Sequence, residues 1–168
     1  MAGSPSSGTV FTITLILSDV DMKKTNLPAV SEAMDYKSLS GKNIIIVDDE
    51  EGVVKAVKDS VGPHVLSVET ALTGADAVAA IMDRDFDLIL LDIKMPGMSG
   101  MEVFKCISDI KPYLADRVIF VTGDTESEST DSFIKITGCR HLSKPFTTKA
   151  LLDSMCEYEM ETMEKEAG

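Results

Sequence analysis

The chain has 168 residues, 44% of them hydrophobic, and a formal net charge of -12 at pH 7. That length suits one ordinary domain with short extensions, and the apolar content excludes global disorder. The negative charge speaks against a nucleic-acid partner, whose affinity rests largely on neutralised phosphates, and against direct contact with an anionic membrane.

Residues 1–8 are small and polar and read as a leader. Residues 9–17 have strand chemistry, with Phe11, Ile13, Leu15 and Leu17 on one face. Residues 18–40 carry Pro28 and little periodicity; they read as a linker with a helical turn around 29–34. From Gly41 onward, apolar runs alternate with helical stripes. A strand at 44–47 precedes a helix marked by Val53, Val54, Val57 and Val61. A short strand at 65–69 precedes a helix marked by Ala75, Val78, Ala79 and Met82. A strand at 86–91 precedes a helix marked by Met101, Phe104, Ile107 and Ile110. A strand at 118–121 precedes a weaker stripe of Phe133, Ile134 and Ile136. A last short strand at 139–143 precedes a helix marked by Leu151, Leu152, Met155 and Tyr158. The Glu-rich end, 157–166, reads as a solvated helix end.

Strict alternation of five strands and five helices predicts an α/β fold: a doubly wound, five-stranded parallel sheet of flavodoxin-like type. With strand order 2-1-3-4-5, the ligand crevice lies beyond the carboxyl ends of the first and third strands. Those strands end in Asp48-Asp49 and Asp92. The fourth ends in Thr122-Gly123-Asp124, and the fifth runs into Lys144-Pro145. Three acids, a hydroxyl and an ammonium converging at one sheet end suit a divalent cation and a phosphoryl group.

The three cysteines, Cys106, Cys139 and Cys156, are odd in number and far apart. They show neither metal-ligand spacing nor a disulfide framework, and fit a reducing, cytoplasmic compartment. No apolar run approaches the ~20 residues of a membrane helix. His64, after Pro63 in a turn, needs no functional role.

Asp48-Asp49, Asp92, Met95-Pro96-Gly97 with Gly100, Thr122, and Lys144-Pro145-Phe146 occur in that order. Together they resemble the receiver domain of two-component response regulators, over roughly residues 41–160. Thr122 follows Asp92 by thirty positions and Lys144 follows it by fifty-two, which matches the family. Residues 8–15 carry a shorter resemblance, to the last strand of a histidine kinase ATP-binding domain. The two together imply the carboxyl-terminal receiver of a hybrid histidine kinase. Residues 1–40 would be leader, kinase remnant and linker, 41–162 the receiver, and 163–168 a tail.

The resemblance implies a Mg²⁺ cofactor. Asp49, Asp92 and the Lys94 main-chain carbonyl would be direct ligands, with Asp48 holding the ion through water. Asp92 would be the nucleophile toward phosphohistidine, assisted by Thr122 and Lys144. Thr122 and His141 would form the switch, with His141 a partly buried strand residue where the family more often has Tyr or Phe. Lys94 and Asp124, each two beyond a site residue, would tune phosphoryl lifetime. Self-catalysed phosphotransfer and autodephosphorylation would follow. Partners would be a histidine kinase or a histidine phosphotransfer protein, and residues 9–17 would either pair with a second copy as a homodimer or fold against the receiver. Few residues follow Met160, so the expected output is another protein.

Three alternatives stand beside this reading. One is a stand-alone single-domain response regulator. Another is an aspartyl-phosphate phosphatase of the haloacid-dehalogenase type, which would need an acid where Lys94 stands. The last is a flavodoxin-like binding module that is never phosphorylated.

Overall fold

Five strands form in the structure, a computed structural model that describes residues 36–123 and 127–166, with side chains as far as residue 161. The strand expected at 9–17, the turn at 29–34 and Asp124 lie outside the described residues. The strands are β1 (Asn43–Val47), β2 (Ser67–Ala71), β3 (Leu88–Asp92), β4 (Val118–Thr122) and β5 (Arg140–Ser143). All pairings are parallel and the order is β2-β1-β3-β4-β5. This is the expected doubly wound sheet. The helices between and after the strands are α1 (Glu51–Val61), α2 (Gly74–Asp83), α3 (Gly100–Ile110), α4 (Glu128–Thr137) and α5 (Thr148–Glu166).

Apart from one polar end residue each, Asn43, Asp92 and Thr122, the central strands are apolar at every position, because both sheet faces are covered. Ile44, Ile46, Leu88, Leu90, Ile119 and Val121 point to one side, against Val54, Val57 and Val61 of α1 and Leu151, Leu152 and Met155 of α5. Ile45, Val47, Ile89, Leu91 and Phe120 point to the other, against Ala77 and Ile81 of α2 and Val103 and Ile107 of α3. Each such Val, Leu, Ile, Phe or Met side chain stabilises the fold by about 1.5–3 kcal/mol of removed apolar surface. The helix α4 is held more lightly. Its Phe133 ring packs edge-on against Phe120 at 5.3 Å and Phe104 at 5.7 Å.

Several helical stripes differ from the expected ones. In α2 the buried residues are Gly74, Ala77 and Ile81, while Ala75, Ala79 and Met82 face solvent. The run Ala-Val-Ala-Ala-Ile is apolar on every side, so periodicity does not fix its inward face; the bulk of Ile81 does. In α3, Ile110 is half exposed and Val103 takes the core position. Ile136 of α4 is also exposed. The second strand begins two residues later than its apolar run, because a 3₁₀ turn at Gly62–His64 takes up the chain and leaves Leu66 in solvent. The helix end at 157–166 is not wholly solvated: Glu159 is buried and pairs with Lys42 at 2.5 Å.

Packing reaches back to a 3₁₀ turn at Tyr36–Leu39. Leu39 is buried against the α1 and α5 side chains. The Tyr36 hydroxyl donates to Asp153 at 3.1 Å, and the Ser38 hydroxyl to Cys156 Sγ at 3.4 Å. Burial and the Asp153 carboxylate push the Tyr36 hydroxyl pKa up.

Candidate functional site

Parallel register brings the ends of β1, β3 and β4 level, with Val47 opposite Leu91 and Asp92 opposite Val121. The residues just beyond those positions therefore meet. Asp48, Asp49 and Asp92 each place a carboxylate oxygen within 4.8 Å of the others. Asp48 and Asp92 are buried and Asp49 is exposed, so the cluster opens to solvent on one side. Lys144 enters from the end of β5. Its ammonium donates to Asp48 Oδ2 at 2.6 Å and to Asp92 Oδ2 at 2.9 Å. A cis peptide joins Lys144 to Pro145.

Main-chain donors fix the carboxylates. The Glu50 N–H donates to Asp48 Oδ1 at 2.9 Å, and the Lys94 N–H to Asp92 Oδ1 at 3.1 Å. Two unit charges ~4 Å apart repel by about 4 kcal/mol at an effective dielectric of ~20. The cluster therefore favours a cation, and Lys144 supplies one. Burial raises the Asp92 pKa above the usual carboxylate value, and the Lys144 hydrogen bond only partly offsets this. For Lys144, burial opposes the charge, but its bonds to Asp48 and Asp92 prevail and raise its pKa.

Thr122 ends β4 and is fully buried, and its carbonyl accepts the Lys144 N–H at 2.7 Å. His141 is exposed rather than partly buried, which corrects the expectation from sequence. It lies opposite Phe120 on β5, the edge strand, so no further strand covers that flank. Asp92, Asp48, Asp49, Lys144 and the Lys94 main chain are thus assembled at one point, with Thr122 at the end of the adjoining strand.

The helix α3 is built close under Asp92. Its N-terminus carries a capping box, in which Ser99 Oγ accepts the Glu102 N–H and Glu102 Oε2 accepts the Ser99 N–H. The first helical residue, Gly100, donates its N–H to the Ile93 carbonyl at 3.0 Å. A Cβ at Gly100 would stand 2.0 Å from the Asp92 carbonyl oxygen. Main-chain atoms cannot yield as a side-chain tip can. Gly100→Ala is expected to cost about 3 kcal/mol or more, at or above the top of the usual overpacking range, read as a lower urea midpoint.

Residues 44–155 match the family model described as the response regulator receiver domain. The chain belongs to the response regulator receiver family. Receiver domains of known structure superimpose on it closely. The CheY-like receiver domain protein of Methanospirillum hungatei JF-1 has a TM-score of 0.68 at 30% identity, covering 75% of this chain and 99% of that one. Chemotaxis protein CheY4 of Vibrio cholerae has a TM-score of 0.64 at 28% identity, covering 71% and 99%. Among curated relatives, the transcriptional regulatory protein DltR of Streptococcus agalactiae serotype III (strain NEM316) is 28% identical over 109 residues, 65% of this chain. The chain spans about half the length of that relative, 48%. Among the described residues of this receiver domain, no helix is long and apolar enough to cross a membrane.

Proposed function

We propose that this receiver domain accepts a phosphoryl group from a phosphohistidine onto Asp92. The observation that carries the reading is the bridge from the Lys144 ammonium to the buried Asp92 and Asp48 carboxylates, with Asp49 open beside them. Three hard oxygen donors gathered in one cluster fit Mg²⁺. Asp49, Asp92 and the Lys94 carbonyl would hold it, with Asp48 acting through water. When bound, Mg²⁺ supplies positive charge against the carboxylates and the incoming phosphoryl oxygens.

Asp92 attacks as a carboxylate and needs no general base. The new bond joins one Asp92 Oδ to phosphorus, in exchange for one of the hydrogen bonds it accepts from Lys94 and Lys144. The phosphorus–nitrogen bond breaks, and its electron pair leaves with the donor imidazole. Lys144 moves its charge onto a phosphoryl oxygen as the group arrives, and the Thr122 hydroxyl donates to another. The exposed Gly123 leaves room beside the acceptor for a donor ring. His141 reports the change by turning from solvent toward Thr122, while Lys94 and Asp124 set access of water to the phosphoryl group. Hydrolysis at this site would be the domain's own autodephosphorylation.

The donor is a histidine kinase or a histidine phosphotransfer protein, in a cytoplasmic setting, and residues 9–17 favour a homodimer. The placement within a hybrid histidine kinase rests on residues 8–15. A stand-alone regulator is the second reading. It is favoured by the match to CheY4, a chain covered over 99% of its length.

The test is incubation with acetyl phosphate and Mg²⁺, followed by intact mass and peptide mapping. A single phosphoryl adduct should appear on the peptide carrying Asp92 and should not form when a chelator is present from the start. An adduct on another residue, or none, defeats the reading.

A further inference from the structure

The β3–α3 segment carries the Lys94 main chain, and something has to hold it in place. Its near end is fixed by the sheet, where the Ile93 N–H donates to the Val121 carbonyl at 3.3 Å. Its middle is anchored by Met95, which is buried in the core. Its far end turns at Gly97, where φ is +77°, and reaches Met98 just before the Ser99 cap. There it meets a different helix. Gly74, the first residue of α2, is buried directly against Met98. A Cβ at Gly74 would lie 2.6 Å from the Met98 carbonyl oxygen and 2.9 Å from its Cβ and Cγ. The helix start is itself rigid, because the Thr73 hydroxyl accepts the Asp76 N–H at 3.1 Å and donates to the Asp76 carboxylate at 2.7 Å. Neither partner can withdraw cheaply. Gly74 has a negative φ, unlike Gly97, so conformational freedom does not account for the glycine. Close approach does.

We infer that Gly74 is a positioning residue for the cation site. Its missing side chain lets the start of α2 brace Met98 and hold the β3–α3 segment. That segment then presents the Lys94 carbonyl, and its N–H keeps the Asp92 carboxylate oriented. A side chain at 74 pushes the segment outward from Met98 and spoils the ligand set without touching any ligand. The inference rests on the Mg²⁺ reading above.

The test is calorimetric titration of the unphosphorylated protein with MgCl₂. Gly74→Ala should bind Mg²⁺ about 10- to 100-fold more weakly than wild type, as loss of support behind a metal ligand does. Phosphorylation by acetyl phosphate should then recover toward the wild-type rate as Mg²⁺ is raised, which a general loss of fold would not allow. Gly52→Ala is the control, since a Cβ at Gly52 in α1 meets nothing within 4 Å; its affinity should not change. Met98→Gly approaches the same contact from the other side, by removing the Cβ and Cγ that Gly74 packs against. It should weaken Mg²⁺ binding about tenfold even if Gly74→Ala does not fold. Wild-type affinity in Gly74→Ala, or in Met98→Gly, overturns the role of Gly74. An equal loss in Gly52→Ala overturns it as well. No Mg²⁺ binding by wild type defeats the metal reading and this inference together.

Discussion

Asp92→Asn is expected to abolish the phosphoryl adduct and to raise the melting temperature of the metal-free domain. The two effects have one cause. Burial penalises the charged form of Asp92 more than Lys144 repays, so its pKa in the folded state lies above the unfolded value. Between those two values the folded protein binds the extra proton, and its stability falls as pH rises. Above the folded value the penalty is complete; below the unfolded value it is absent. Asparagine has no such penalty, so the stabilisation should be full at neutral pH and disappear in acid. Lys144 is not stranded by the change, because its 2.6 Å bond to Asp48 remains. Melting in chelator across a pH series checks the sign. A variant no more stable than wild type at neutral pH, or one still labelled by acetyl phosphate, contradicts the account.

Lys144→Ala should act in the opposite direction on stability and in the same direction on chemistry. Removing the ammonium leaves two buried carboxylates facing each other without a counter-charge. Breaking a buried pair from one side costs about 3–5 kcal/mol. Mg²⁺ should return part of that stability by occupying the same negative region, so denaturant midpoints with and without the ion should diverge more than in wild type. The rate of phosphorylation should fall by about 10²–10³, the usual cost of losing one donor to a developing charge. Lys144→Arg should not restore it. Guanidinium is a wide planar fork, and the position between Asp48 and Asp92 suits a compact point charge. A stability loss under 1 kcal/mol would mean that water already screens these carboxylates.

The site was legible because its chemistry sits at strand ends. A residue that follows β1 or β3 is placed by the register of the sheet, so Asp48, Asp49 and Asp92 converge once the alternation of elements is recognised. Lys144 is legible for the same reason, at the end of β5, two strands beyond β3 in the sheet. Helix faces were harder. The α2 run offers methyl groups on all sides, and only the docking of Ile81 decides which of them turn inward. His141 was misplaced because β5 is an edge strand, and alternation along an edge does not say whether a helix covers that flank. Gly74 carried no signal, since a glycine after a threonine cap reads as an ordinary helix start. Its meaning comes from Met98, which lies twenty-four residues away in the chain.

The turn at Tyr36–Leu39 limits how this domain can be excised. A fragment that starts at Gly41 would lose the Leu39 side chain, leaving a hole between α1 and α5, and would strip Cys156 and Asp153 of their hydroxyl neighbours. Fragments beginning at or before Tyr36 keep that plug and both hydroxyl ties to the long final helix.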